Sequence, residues 1–154
     1  MANSDKTIVT NVKALIKKYG RQGFEAMHQR IEALIAADKA RGLTTILVAL
    51  DDKEQMKEFS TPPVTRGSDP AQNKRAMDAV YRALAPDYLV ILGSKDIIPH
   101  QDLENPIYDP KSEDLDKCAY GDLPYACEAP YSRKPHDFLG PTRVVGRIPD
   151  ITIC

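Results

Sequence analysis

Residues 85–100 read APDYLVILGSKDIIPH. The run from Tyr88 to Leu92 is almost wholly apolar, and five such residues predict a strand covered on both faces, because a strand with one wet face would alternate. Pro86 stops any helix that precedes it. Gly93 then turns the chain out of the strand into a polar loop carrying Ser94 and Asp96. A strand buried on two faces needs a layer on each side, so this stretch sets the fold class.

Upstream of it, Ser68, Asp69 and Pro70 give a helix start with a capping side chain and a proline in the first turn, followed by an apolar face at Met77, Val80, Tyr81 and Leu84. Residues 44–50, TTILVAL, are a second strand, and residues 6–10, KTIVT, a third. Between these two strands, Asn11 is placed as an N-cap, and Val12, Leu15, Ile16 and Tyr19 share one helical face. Gly20 and Gly23 are expected to break that helix. A second helix with Phe24, Met27, His28, Ile31, Leu34 and Ile35 on one stripe would then run to the Arg-Gly-Leu step at 41–43. Strands alternating with helices predict an α/β fold, a mainly parallel sheet flanked by helices on both faces.

After residue 98 the texture changes. Eight of the 12 prolines lie between 99 and 149, so 99–142 is expected to be a long irregular excursion of one domain spanning 1–154. It ends in a fourth strand near 143–148, placed near a sheet edge.

Composition removes several function classes. Twenty-one basic and 22 acidic residues give a net charge of −1, with no Lys/Arg block and only 6% aromatic residues. Nucleic acid has no electrostatic footprint to follow. No apolar run approaches the ~20 residues of a membrane span, and the N-terminus lacks the apolar core of a signal peptide. The expectation is a cytoplasmic protein that meets no membrane. Cys118, Cys127 and Cys154 are too few and too irregular for a disulfide framework.

In parallel sheets, ligands and chemistry gather beyond the carboxyl ends of the strands. That rule points at Asp51 and Asp52, at Gly93, Ser94 and Asp96, and at the excursion. Asp51 and Asp52 read as a solvated strand-end pair. Gly93-Ser94 has neither GxxxxGK[ST] nor GxGxxG around it, so Gly93 reads as a tight strand exit. His28, on an apolar stripe, reads as a satisfied core or boundary histidine. Cys118, Cys127 and His136, with His100, match no short zinc-knuckle spacing. No cysteine directly follows a core strand in a small-residue turn, so no catalytic residue and no metal ligand is assigned. Asp109, Glu113, Asp114, Asp116 and Asp122 could offer loop oxygens to Ca²⁺, although without EF-hand spacing. No other cofactor is implied.

Three segments taken as a series, DYLVILGSKDIIPH (87–100), GDLPYA (121–126) and TRVVGRIPD (142–150), resemble the gingipain-type cysteine peptidases and their wider caspase-like clan. In that family a strand ending in Gly is followed by an Asp/Pro-containing turn, a loop with an Asp-x-x-Tyr-like element, and a strand ending in Gly-Arg. TIVTNVKALIKKYG (7–20) and TTILVALDD (44–52) agree more loosely with its opening strands and helix. The resemblance implies a caspase-like three-layer sandwich. Gly93 would be the exit of a central strand, Asp122 and Tyr125 would lie in the loop leading back to the sheet, and Gly146 and Arg147 would end the next strand. Arg147 would pair with an acid such as Asp122 or Asp150.

The family's catalytic His and Cys lie downstream of its Gly-Arg element, whereas here only seven residues follow Arg147. The resemblance therefore implies the N-terminal portion of a cysteine endopeptidase, inactive by itself. Its expected partner is the missing C-terminal half or another protein chain, with self-association through an uncovered strand edge. The alternative is a non-catalytic α/β module that holds a ligand or a protein.

Overall fold

The computed structural model describes residues 4–111 and 115–149. In chain order the elements are β1 (Lys6–Thr10), α1 (Val12–Ala40), β2 (Thr45–Ala49), α2 (Lys53–Glu58), α3 (Pro70–Leu84), β3 (Tyr88–Leu92), β4 (Gln101–Glu104), β5 (Cys118–Gly121) and β6 (Val145–Ile148). Four strands form one sheet in the order β2-β1-β3-β6, and every pairing in it is parallel. Ile8 lies opposite Leu47 and Val90, and Ile91 lies opposite Arg147. The strand at 88–92 is interior and that at 145–148 is at an edge, as the hydrophobic runs predicted.

The period-2 alternation of each strand sends its side chains to two different helical layers. Ile8, Leu47, Val90 and Leu92 meet Met27, Ile31, Leu34 and Ile35 of α1 on one face. Val9, Val48, Leu89 and Ile91 meet Ala76, Met77, Val80 and Leu84 of α3 on the other. A one-residue slip would exchange these faces, so the two helices together fix the register.

The helix between the first two strands differs from expectation. It runs through 12–40 with one break, at Gly20, whose φ of 70° and ψ of 171° belong to a region open essentially to glycine alone. Gly23 stays helical and does not break it. An added Cβ there would sit 2.8 Å from Cβ of Tyr19, so Gly23 serves the close approach that the kink creates.

The excursion also differs, because it is not wholly irregular. β4 and β5 pair antiparallel, with Asp102 opposite Tyr120, and two 3₁₀ turns occupy Leu123–Ala126 and Pro135–Phe138. A small satellite core of Leu103, Cys127 and Phe138 lies under it. Pro124 is the second residue of the first turn and Pro135 the first of the second, positions where a missing N–H costs nothing.

Candidate functional site at the carboxyl edge of the sheet

The loops leaving β1, β2 and β3 converge at one end of the sheet. Asn11 caps α1, its Oδ1 accepting from Ala14 N at 2.9 Å. Asp51, just beyond β2, reaches across to the same helix start, its two carboxylate oxygens accepting from Val12 N at 2.8 Å and Lys13 N at 3.0 Å. Asp52 caps α2 through Gln55 N at 2.8 Å. The expectation of a solvated acidic pair is therefore wrong for Asp51, which is 5% exposed and saturates the positive end of α1. Orphan amide donors at two helix starts explain why consecutive acids follow this strand.

Gly93 is the tight exit predicted for it. Its φ is +120°, and an added Cβ would fall 2.6 Å from Cβ of Ile97, so both the backbone and the packing demand glycine. The carbonyl of Ser94 accepts from Ile97 N and Ile98 N at 3.0 and 3.1 Å, closing the turn. Asp96 forms an ion pair with Lys18 of α1 at 2.8 Å.

Arg147, on β6, draws three separate segments together. Its Nε and Nη2 donate to the two oxygens of Asp122 at 2.8 and 2.6 Å, a bidentate fork. Its Nη1 donates to the carbonyls of Gly93 at 2.7 Å and Ile98 at 2.9 Å. One guanidinium thus joins the β3 exit, the 121–126 element and the edge strand. Tyr125, fully buried, donates to Pro99 O at 2.8 Å, and burial pushes its phenol well above the ordinary range. Asp150, the other acid considered for Arg147, lies outside the described residues.

A second buried network was not foreseen. Lys74 and Asp78 of α3 pair at 2.6 Å, and Arg143 donates to the same carboxylate at 2.5 Å. Lys74 also donates to Cys127 O at 3.0 Å, and the Arg143 guanidinium stands 4.3 Å from the centre of the Tyr81 ring. Two cations share one carboxylate away from water, and burial lowers the Lys74 ammonium below its usual range. These contacts fasten the excursion to α3. A signal was available, because Lys74, Met77, Asp78 and Tyr81 follow i, i+3, i+4, i+7 and so share one helical face.

The thiols and imidazoles do not assemble a nucleophilic pair. Cys127 is buried, its Sγ donates to Phe138 O at 3.7 Å, and burial raises its thiol. Cys118, partly exposed on β5, accepts from Arg133 Nη2 at 3.3 Å. Among the described residues no hydrogen bond joins a histidine to either cysteine. His28 is not satisfied as expected: its ring stacks on Phe24, while its buried Nδ1 has no partner among the described residues. His100 lines an open cleft of about 430 Å³ with Ser68, Lys95, Asp102 and Tyr120. His136 sits beside Asp137 on a 3₁₀ turn. Of the acids considered for Ca²⁺, Glu113 and Asp114 lie outside the described residues, as does Cys154; among those described, no group of three His, Cys, Asp or Glu side chains is placed to hold a metal ion.

Compared with protein-family models, with curated proteins and with solved structures, the chain finds no match. No helix of the described residues is long and apolar enough to cross a membrane.

Proposed function

We propose that this chain is the N-terminal α/β portion of a gingipain-like, caspase-fold cysteine endopeptidase, and that the portion by itself is inactive. The observation that carries the reading is the Arg147 fork. The three sequence segments on which the resemblance rests are distant in the chain, yet Arg147 of the last bonds to Asp122 of the second and to Gly93 and Ile98 of the first. Chance similarity of three short strings gives no reason for them to meet at one side chain. In the complete enzyme a His would act as base and a Cys thiolate as nucleophile, with backbone N–H groups receiving the oxyanion during peptide hydrolysis. None of those roles falls to a residue described here. This portion would supply the strand edge at β6, which exposed Val144 precedes and exposed Ile148 ends, against which the catalytic portion is laid.

The test is to isolate the protein from its own source, measure its intact mass, and treat it with a peptidyl reagent that alkylates catalytic cysteines. A mass above that of residues 1–154, with the label on a cysteine beyond them, is the expected result. A source protein with the mass of these residues alone, taking no label, would overturn the reading. So would peptide turnover by residues 1–154 that is abolished by Cys118→Ala or Cys127→Ala.

A second reading, a non-catalytic module that holds a small ligand, is favoured by an open cleft between the loops that follow β1 and β3.

A further inference from the structure

In the order β2-β1-β3-β6 the chain leaves β1 toward one side of the sheet and β3 toward the other. The carboxyl ends of β1 and β3 therefore bound the topological switch point, where the connections diverge and leave a crevice. A cleft of about 310 Å³ opens there, with Asn11, Lys13 and Lys17 on one wall and Gly67, Ser68 and Asp96 facing them. Its volume matches the lower end of small-ligand sites, about 300–1,000 Å³.

The groups around this cleft are donors in excess. Asn11 is 3% exposed, and its amide is engaged on one side only, through Oδ1 on Ala14 N. Its Nδ2 carries two N–H groups and has no partner among the described residues, although Asn11 lines the cleft. That nitrogen is not sealed from solvent, so a ligand oxygen in the cleft can take the place of water on it. Lys13 and Lys17, four apart on α1, line the same space; the Lys13 ammonium also donates to Asp51 O at a long 3.5 Å, which a ligand oxygen can replace. Both carboxylates in the cleft wall are already engaged, Asp51 on the first amides of α1 and Asp96 on Lys18.

We infer that this cleft binds a small phosphate-bearing molecule, with Asn11 Nδ2 as the directional donor, Lys13 and Lys17 as the counter-charges, and the Ser68 hydroxyl as a further donor. Ammonium groups act as mobile point charges suited to a tetrahedral oxyanion, whereas the planar fork that selects a carboxylate would call for arginine, and none lines the cleft. The backbone amides at the start of α1 are not the binding groups, since Asp51 and Asn11 fill them. The site uses residues 11–68 and Asp96 only, so it stands or falls independently of the peptidase reading.

The probe is inorganic phosphate, followed by amide-resolved NMR titration of the protein, with acetate and chloride at matched ionic strength as the other arms. Saturable shifts at residues 11, 13, 17, 67 and 68 with phosphate, absent with chloride, are expected. Asn11→Asp keeps an oxygen to cap α1 and replaces the free donor by a repelling charge, so phosphate binding should weaken by at least about tenfold, the effect of one lost hydrogen bond to a charged group. Lys17→Gln, on an exposed position, should weaken it as well and serves if Asn11→Asp fails to fold. Shifts equal in phosphate and chloride, tighter saturation by acetate, or unchanged affinity in the folded variants would each overturn the assignment.

Discussion

Residues 6–92 and residues 99–142 are held by different physics. In the first region five of the six regular elements, all but the short α2, bury alternating or 3.6-periodic apolar faces, and the core residues of both sheet faces come almost entirely from it. In the second, the satellite core has three buried members and Tyr125 joins the main core, while charged side chains from outside it tie it down: Lys74 to Cys127 O, Arg143, itself paired with Asp78, to Tyr125 O, and Arg147 to Asp122. Apolar burial is additive and tolerant, whereas a buried ion network fails when any one partner is removed. The excursion is therefore ordered, but its order rests on a few side chains.

The largest expected effect follows from that difference. Asp78→Ala would leave Lys74 and Arg143 facing each other without a counter-charge, and removal of one member of a buried ion pair typically costs about 3–5 kcal/mol. Urea unfolding should show this loss. A loss no larger than that of a surface substitution would mean that the network is solvated and that the two regions do not differ as described.

Gly93→Ala acts where the regions join. It places a methyl group within 2.6 Å of Ile97 Cβ at a φ unfavourable to alanine, so a loss of about 1–3 kcal/mol is expected from overpacking and strain. Thermal unfolding checks it, and a neutral result would remove Gly93 from the role of obligatory strand exit.

The first region also has a charged centre at the opposite end of the sheet. Asp38 accepts from Lys6 at 2.6 Å and from Thr45 at 2.7 Å and is bonded to Arg41, and the Lys6 and Thr45 hydrogen bonds hold its carboxyl down to about 2 from the ordinary 3.8. A carboxyl lowered on folding contributes stability that is present above its unfolded value and lost as pH falls through the folded one. The melting temperature should therefore fall between pH 3.8 and about 2, and Asp38→Asn should flatten that part of the profile. An unchanged acid limb in the variant would contradict the assignment.

The smallest effect is a rate. Cys127 is buried with a raised thiol, and Cys118 is partly exposed beside Arg133, so iodoacetamide at neutral pH should modify Cys118 first, with the difference vanishing in denaturant. Peptide mapping reads both sites. Equal rates in the native protein would mean that the excursion opens freely.

The same division governs what the sequence made legible. KTIVT, TTILVAL and YLVILG announce their strands because their side chains answer to a local period, and the observed bounds differ from the expected ones by at most two residues. The pairing of Arg147 with Asp122 was legible only through the three-segment series, since 25 residues separate the partners. Asp51 was misread because a carboxylate after a strand looks solvated unless the start of a neighbouring helix is known to face it. β4 and β5 were missed because QDLE and CAYG carry no clean alternation; their pairing is fixed by contacts elsewhere, including the Arg133 side chain that bonds to Asp102 and Cys118. Arg143 had no local signal, because its partner lies on a helix 65 residues away.

Arg147 and Asp122 act as a unit joining the edge strand to the excursion. A double-mutant cycle on Asp122→Ala and Arg147→Ala, measured by urea unfolding, tests it most directly. The single losses should overlap, with a coupling energy within the range of about 0.5–3 kcal/mol typical of groups in one hydrogen-bonded network. Losses that add to within about 0.3–0.5 kcal/mol, as for independent sites, would contradict it.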